Sequence, residues 1–397
     1  MSAIVSYTGN VNVWGSMSGD EELGLVYLPE TTPSNDWYGA KRPGNNLFAE
    51  SIVALDAKTG KMKWYFQGVH HGLWDYDFPC APVLADIRVN GRNIKALAQP
   101  SKQAYLYVRD RTNRRPVWPI EERPVPKGDA PGEQYSTTQP VPLDSHGKPF
   151  AYDLQGVSEE TLIDFTPALR AEALQIIKDY AYGPLFSPIV IPGQGLGAGK
   201  KGSIHFPGTY GGTNWPGAGL DPETNILYVP SAHTPIFAKL VKPPAGSDTE
   251  WVRQGYEWAK GPQGLPLFKP PYGRLVAIDL NKGEIRWRVA NGDGPRDHPA
   301  IKDLKLPPLG NTGRVGPLIT KNLVFMGEGM ITTQPPGAGG KKFRAFDKAT
   351  GKVVWETDLD GGSSGVPMSY MWRNKQYIVV PIGWSGHPGE FVALALN

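Results

Sequence analysis

A short pattern recurs along this chain and restricts its fold more than any other feature. It consists of a small apolar residue, Asp two positions on, Gly at six and Trp at ten. The copies are Ala54, Asp56, Gly60, Trp64 in VALDAKTGKMKW; Ala277, Asp279, Gly283, Trp287 in VAIDLNKGEIRW; and Ala345, Asp347, Gly351, Trp355 in RAFDKATGKVVW. A degenerate fourth copy is Val108, Asp110, Arg114, Trp118 in YVRDRTNRRPVW. The spacing predicts a hairpin: a strand ends at Asp, whose carboxylate bonds backbone N–H groups of the turn, a left-handed residue follows, and the next strand carries Trp. That tryptophan is large enough to fill the gap between neighbouring sheets.

The copies are 54, 169 and 68 residues apart, longer than the roughly 40–45 of the commonest propeller blade, which leaves room for insertions. A radial array of four-stranded blades fits best. Further strands read from GLVYLP (24–29), ILYVPS (226–231) and KQYIVVPIG (375–383). The one strong helical stretch is TPALRAEALQIIKDY (166–180), with Thr166 as N-cap, Pro167 as first helical residue, and Leu169, Ala173, Leu174 and Ile177 as its apolar stripe. It falls in the longest gap and reads as an insertion over one face. VPKGDAPGEQ (125–134) and PPAGSDTE (243–250) read as loops. The expected organisation is all-β: one partial propeller domain over 1–397, with about four to five blades and a helical and loop insertion at about 120–200. Open edge strands of such a partial ring call for missing N-terminal blades or a partner chain.

Composition excludes several classes. Glycine (48) and proline (39) are abundant without a three-residue period, and aromatics reach 11%, so the chain is neither collagen-like nor disordered. With 41 basic and 38 acidic residues and no basic run, nucleic acid is not implied. The single cysteine, Cys80, rules out an intrachain disulfide, a four-thiolate zinc site and a CxxCH haem attachment. No apolar stretch reaches the roughly 20 residues of a spanning helix, and MSAIVSYTGN has the character of neither a signal peptide nor an anchor.

The densest polar constellation is VHHGLWDYDFPCAP (69–82), which sets His70, His71, Asp75 and Asp77 beside Trp74 and Tyr76. A carboxylate among bulky aromatics loses hydration and gains proton affinity, which suits general-base work. The competing reading is a turn with solvated aspartates and core aromatics. Vicinal histidines with two carboxylates also raise a metal, but HHxxxDxD matches no standard zinc signature. GQGLGA (193–198) satisfies a loose dinucleotide pattern, yet GKKGSIHFPG follows where a helix is required, so nicotinamide is not supported.

The run from WGSMSGDEELGLVYLP through SIVALDAKTGKMKWYFQGVHHGLWDYD (14–77) resembles the pyrroloquinoline quinone (PQQ) dehydrogenases, in particular the membrane-bound glucose/quinate branch. So do PSKQAYLYVRDR (100–111), GGTNWPGAGLDPETNILYVPS (211–231) and NKQYIVVPIGWSGHPGEFVALAL (374–396). The resemblance implies an eight-bladed quinoprotein-type β-propeller with PQQ on its axis beside Ca2+ or Mg2+. It implies Asp75 as general base and Lys102 as donor to the quinone oxygens. Trp14 is implied as the stacking platform, with Asn214 and Trp215 as cofactor contacts. Ser34 and Thr32 fall near the cofactor, Ser34 and Asn35 near the metal, and His387 matches a histidine associated with transfer to ubiquinone. Where the family often reads His-His-Asp-Leu-Trp-Asp, this chain has Gly72.

The implied function is oxidation of a sugar or polyol hydroxyl with PQQ, a glucose-type aldose first. Quinate, other polyols and simple alcohols are the alternatives. Electrons would pass to ubiquinone or another external acceptor, in the periplasm or on the periplasmic face of the inner membrane. A non-catalytic propeller scaffold or an inactive fragment is the reading from another class.

Overall fold

The structure is a computed structural model that describes residues 10–330, 338–384 and 386–395. The first nine residues, part of the segment read above as lacking a leader, lie outside the described residues. Strands β1 (Ser18–Asp20), β2 (Leu25–Pro29), β3 (Ser51–Asp56) and β4 (Met62–Gln67) form an antiparallel sheet in chain order. A second sheet holds β5 (Val83–Val89), β6 (Arg92–Pro100) and β7 (Leu106–Asp110). A ribbon of β8 (Ile120–Pro124) and β9 (Thr138–Pro142) and the helix α1 (Pro167–Lys178) follow.

The next strands are β10 (Ser203–His205), β11 (Gly219–Asp221), β12 (Ile226–Ala232), β13 (Ile236–Val241), β14 (Val252–Trp258), β15 (Gly273–Asp279) and β16 (Glu284–Ala290). Here β11-β12-β15-β16 make one sheet, and β10-β13-β14 make another. A four-stranded sheet of β17 (Leu318–Ile319), β18 (Leu323–Gly327), β19 (Lys342–Asp347) and β20 (Val353–Asp358) precedes a last sheet of β21 (Met368–Trp372), β22 (Lys375–Trp384) and β23 (His387–Ala395). The first strands of four successive sheets touch in order, β1 on β5, β5 on β11 and β11 on β17. This is the arrangement of propeller blades around an axis.

The repeat does what its spacing requires. Ala54 pairs with Trp64, Ala277 with Trp287 and Ala345 with Trp355. Gly60, Gly283 and Gly351 are left-handed, at φ 68°, 67° and 72°. Arg114 holds the same place in the degenerate copy at φ 62°. Each turn closes with a 2.8 Å bond from that residue's N–H to the aspartate carbonyl. A regularity that the sequence reading did not anticipate is a bulge in all three full copies, just after the Ala–Trp pair. It leaves Lys63, Arg286 and Val354 as the extra residue. In two of the three the bulged cation reaches back to the turn, Lys63 to Asp56 at 3.0 Å and Arg286 to Asp279 at 3.3 Å.

Two of these tryptophans, Trp64 and Trp287, clasp the following blade. The Trp64 indole donates to the carbonyl of Arg111 at 3.3 Å, and that of Trp287 to Lys348 at 3.2 Å. In each case the acceptor is the residue directly after a turn aspartate. The same two residues carry the cations that pair with the preceding blade, Arg111 with Asp20 at 2.6 Å and Lys348 with Asp221 at 2.5 Å. At the intervening junction Leu280 takes that position and is buried with apolar neighbours instead. Trp118 lies against Gly283, and Trp287 against Gly351, where any Cβ would overlap the indole.

The helix starts as expected: Thr166 accepts from the N–H of Leu169 at 3.2 Å, and Leu169, Ala173 and Ile177 are buried. It packs with Leu162, Ile163, Leu265 and Phe268 in a core of the inserted region. Among the described residues, no helix is long and apolar enough to cross a membrane.

Trp64 is nearly buried, whereas Trp355 is 43% exposed. Trp64→Ala is therefore expected to cost about 3–5 kcal/mol of unfolding free energy, and Trp355→Ala about 1 kcal/mol or less. Denaturant titration of the two variants checks this ordering, which equal losses would contradict.

Candidate active site

Connections leading into the first strands of four successive sheets converge on one cavity of about 440 Å3. Trp14 precedes β1, Asp75 and Asp77 precede β5, Thr209, Tyr210 and Asn214 precede β11, and Arg314 precedes β17. Lys102, from the turn between β6 and β7, and Ile236 and Trp258 complete the lining. Equivalent loops of a pseudo-symmetric fold thus deliver different side chains to one place.

Segment 70–77 is pinned at almost every residue. His70 lies 3.0 Å from both Gln67 and Glu122, and its N–H donates to Gln139 at 2.7 Å. The ring nitrogens of His71 face the Gly44 carbonyl and a Glu133 carboxylate oxygen, each at 2.7 Å. The two imidazoles therefore have separate partners and do not converge on a metal. Arg42 donates to the Gly72 carbonyl at 2.7 Å. Trp74 donates to the Ser187 carbonyl at 2.9 Å and the Tyr76 hydroxyl to Pro207 at 2.8 Å. Asp75, left-handed at φ 59°, is thereby turned to the cavity.

Lys102 sits between the two aspartates. Its Nζ lies 2.9 Å from Asp75 Oδ1 and 2.6 Å from Asp77 Oδ2, and 5.8 Å from the centre of the Trp14 ring. The Lys102 backbone carbonyl accepts from Gly212, and its side-chain stem lies where a Cβ on Gly211 would be. Asp77 also accepts from the Trp14 indole at 3.1 Å and from the Thr32 N–H at 2.6 Å. Asp77 is thus the hub that sets Trp14 and Lys102 relative to each other.

Burial pushes the Asp75 carboxyl up to about 7; Asp77 adds to the rise, while the Lys102 charge opposes it. For Lys102, burial favours the neutral amine, but the two carboxylates outweigh it and the ammonium is held above the usual lysine range. The site therefore pairs a permanent cation with a carboxyl that changes charge near neutral pH. Such a carboxylate can take a proton from a hydroxyl and hold it out of water.

Of the residues singled out from sequence, Trp14, Asp75, Lys102 and Asn214 line the cavity together. Thr32 is buried directly behind Asp77. Trp215 follows Asn214 but is not among the lining residues. Ser34 is exposed, and Asn35 turns away to the Trp251 carbonyl at 3.1 Å. His387 is outside the cavity, in the last hairpin, 2.5 Å from Glu390. Tyr210, Trp258 and Arg314 were missed. Tyr210 and Arg314 stand in Gly-rich runs just ahead of a first strand, as Trp14 does, and that shared position was the available signal. Trp258 belongs to the inserted hairpin and had none.

Three aromatic faces, Trp14, Tyr210 and Trp258, with the cations Lys102 and Arg314 and the amide of Asn214, suit a flat, anionic, oxygen-rich ring. The fit for a divalent cation is poor. Among the described residues no three His, Cys, Asp or Glu side chains are grouped to hold a metal, and an ammonium already bridges the two carboxylates.

The family model described as "PQQ: Glucose/ethanol/alcohol dehydrogenase, beta-propeller domain" matches residues 3–378. A probable quinate dehydrogenase (quinone) of Xanthomonas campestris pv. juglandis is 32% identical over 94% of this chain and 48% of its own length. The glycerol dehydrogenase large subunit of Gluconobacter oxydans is 31% identical over 96% and 52%. The quinoprotein glucose dehydrogenase of Escherichia coli is 30% identical over 95% and 48%. The chain thus spans about half the length of the curated relatives it matches. Among solved structures, the quinohemoprotein alcohol dehydrogenase of Comamonas testosteroni superposes with a TM-score of 0.61 at 24% identity, over 98% of this chain and 48% of that one. That likeness concerns the fold.

Lys102→Met would leave Asp75 facing Asp77 with no cation between them, so the Asp75 carboxyl should titrate above about 7. Infrared difference titration of the carboxyl C=O band, assigned with Asp75→Asn, checks this. An unchanged midpoint would mean that Lys102 does not control Asp75.

Proposed function

The chain belongs to the PQQ glucose/ethanol/alcohol dehydrogenase β-propeller family, and from that membership we propose that it forms the active-site portion of a quinoprotein that oxidises a sugar or polyol hydroxyl. The observation that carries the reading is the contact of Lys102 with Asp75 on a cavity walled by Trp14, Tyr210 and Trp258. When bound, PQQ supplies the acceptor for two electrons and the carbon-bound hydrogen of the substrate.

The protein's own part is to place and to polarise. Asp75, ionised, accepts the hydroxyl proton, and its semi-buried setting keeps that proton from exchanging early with solvent. Lys102 presents a fixed positive charge where negative charge grows on the cofactor's oxygens. Trp14 offers a stacking face and is oriented by its bond to Asp77. Asn214, whose side-chain oxygen accepts from the Trp215 N–H at 2.9 Å, and Arg314 supply donors for carboxylates of the ring, and Thr32 backs Asp77. Neither the exposed Ser34 nor Asn35, whose amide donates to the Trp251 carbonyl, lines this cavity, so a Ca2+ or Mg2+ ion here would need other ligands.

A glucose-type aldose is the first substrate proposed. Quinate and glycerol, named for two of the relatives, are the alternatives within the same class. Electrons leave to ubiquinone or another external acceptor in the periplasmic compartment, with His387 as the residue proposed near the point of exit. We read the whole chain as one partial propeller domain with its insertion at about 120–200. Val353, Val354, Trp355, Met368, Tyr370 and Trp372 are exposed on its final sheets. That apolar surface supports completion by further blades or a partner chain.

Protein loaded with PQQ and Ca2+ is expected to reduce an artificial dye with glucose, quinate or glycerol. Turnover should rise with pH through about 7 as Asp75 ionises, and Asp75→Asn should lower it by about 10²–10⁴-fold. Absence of dye reduction with every polyol, or an Asp75→Asn variant as active as the parent, would overturn the reading.

A further inference from the structure

Glu50, the residue just ahead of β3, is completely buried and lies outside the constellation described above. Its backbone is left-handed at φ 49°, an uncommon state for a residue with a side chain, which persists only where the surroundings impose it. Two bonds impose it here: Glu50 N–H donates to the Thr31 carbonyl at 2.8 Å, and Gly68 N–H donates to the Glu50 carbonyl at 2.9 Å. The side chain is thereby aimed at segment 70–77. Both carboxylate oxygens lie over the Cα of Gly72, so that a Cβ on residue 72 would overlap them.

Neither oxygen has a complete hydrogen bond. The charged and polar groups around the carboxyl are Arg42, Thr32, Asp77 and Asp75. Arg42, itself buried, donates to the Gly72 and Asn35 carbonyls at 2.7 and 3.0 Å. A desolvated carboxyl with so few partners is costly in an interior. Burial raises it to about 8, with Arg42 and Thr32 opposing.

These contacts explain Gly72, which stands where the resembling sequences often carry Asp. We propose that Glu50 is the positioning residue of segment 70–77, its carboxyl filling from β3 the space that a side chain on residue 72 would otherwise occupy and, with Arg42, holding the backbone that presents Asp75 to Lys102. Gly72 is then required by Glu50, and the two positions form one exchangeable unit. The assignment of Asp75 as base is the reading on which this role rests.

The test uses Glu50→Gln, Gly72→Asp, Glu50→Ser and the double variant Glu50→Ser with Gly72→Asp, each as the full chain. Hydrogen exchange of the amides of 70–78 and thermal melting are followed without cofactor, and kcat and KM with PQQ. Glu50→Gln, which keeps the volume over Gly72, should stay close to the parent, whereas Glu50→Ser, which empties it, should speed exchange in this segment by about tenfold or more while the rest of the protein stays protected. Glu50→Ser should also lower kcat more than it raises KM, by about tenfold or more. Gly72→Asp alone should melt several degrees lower, since two carboxyls collide. The double variant should recover both melting temperature and slow exchange. Unchanged exchange in Glu50→Ser, or a double variant no better than the sum of its singles, would overturn the proposal. Exchange and melting decide it even if no polyol is turned over, whereas a parent protein inactive on every polyol counts against the enzymatic reading alone.

Discussion

The structure of the site depends on one buried ammonium. Lys102 Nζ lies within 3 Å of Asp75 and Asp77, so three charges sit in a wall from which most water is excluded. Removing the ammonium would leave two carboxylates facing each other without compensation. The same residue joins segments from successive sheets: its carbonyl holds Gly212, its stem rests on Gly211, and its ammonium approaches Trp14. Charge balance and loop geometry are thus a single constraint. Asp77 is held by Trp14 and Thr32, and burial raises the proton affinity of Asp75.

The scaffold makes such convergence possible by repeating one junction. A tryptophan from one blade donates to the turn of the next, and the residue receiving that bond also carries the cation that returns to the first blade, as at Arg111 and Lys348. Where Leu280 replaces the cation, apolar burial substitutes for the ion pair. The junction tolerates this change because the indole packing on a left-handed glycine is retained, as with Trp118 on Gly283. Blades held in this way keep the loops ahead of their first strands pointed at a common axis, which is where the cavity lies.

The hairpins, the helix start and part of the cavity lining were legible in the sequence because each rests on local chemistry. Asp-x-x-x-Gly makes its own turn, Thr166-Pro167 begins its own helix, and Asp75, Lys102 and Trp14 lie in runs with recognisable neighbours. What escaped depended on contacts between distant segments. The role of Asp77 requires knowing that Trp14, Thr32 and Lys102 meet at its carboxylate. Trp258 reaches the cavity from an inserted hairpin, and Arg314 from a loop whose sequence resembles many others. Gly72 was legible as a departure, but its partner Glu50, 22 residues earlier, is brought against it only by the fold, which lays the Glu50 carboxyl over the Gly72 Cα.

The most direct measurement is a crystal structure of the protein soaked with PQQ. The predicted result is planar density in the cavity lined by Trp14, Lys102 and Asn214, within hydrogen-bond reach of the Lys102 ammonium and with Asp75 facing its reactive edge. Density elsewhere on the molecule, or a bound ring that leaves Lys102 and Asp75 untouched, would contradict the assignment of this cavity as the site of oxidation.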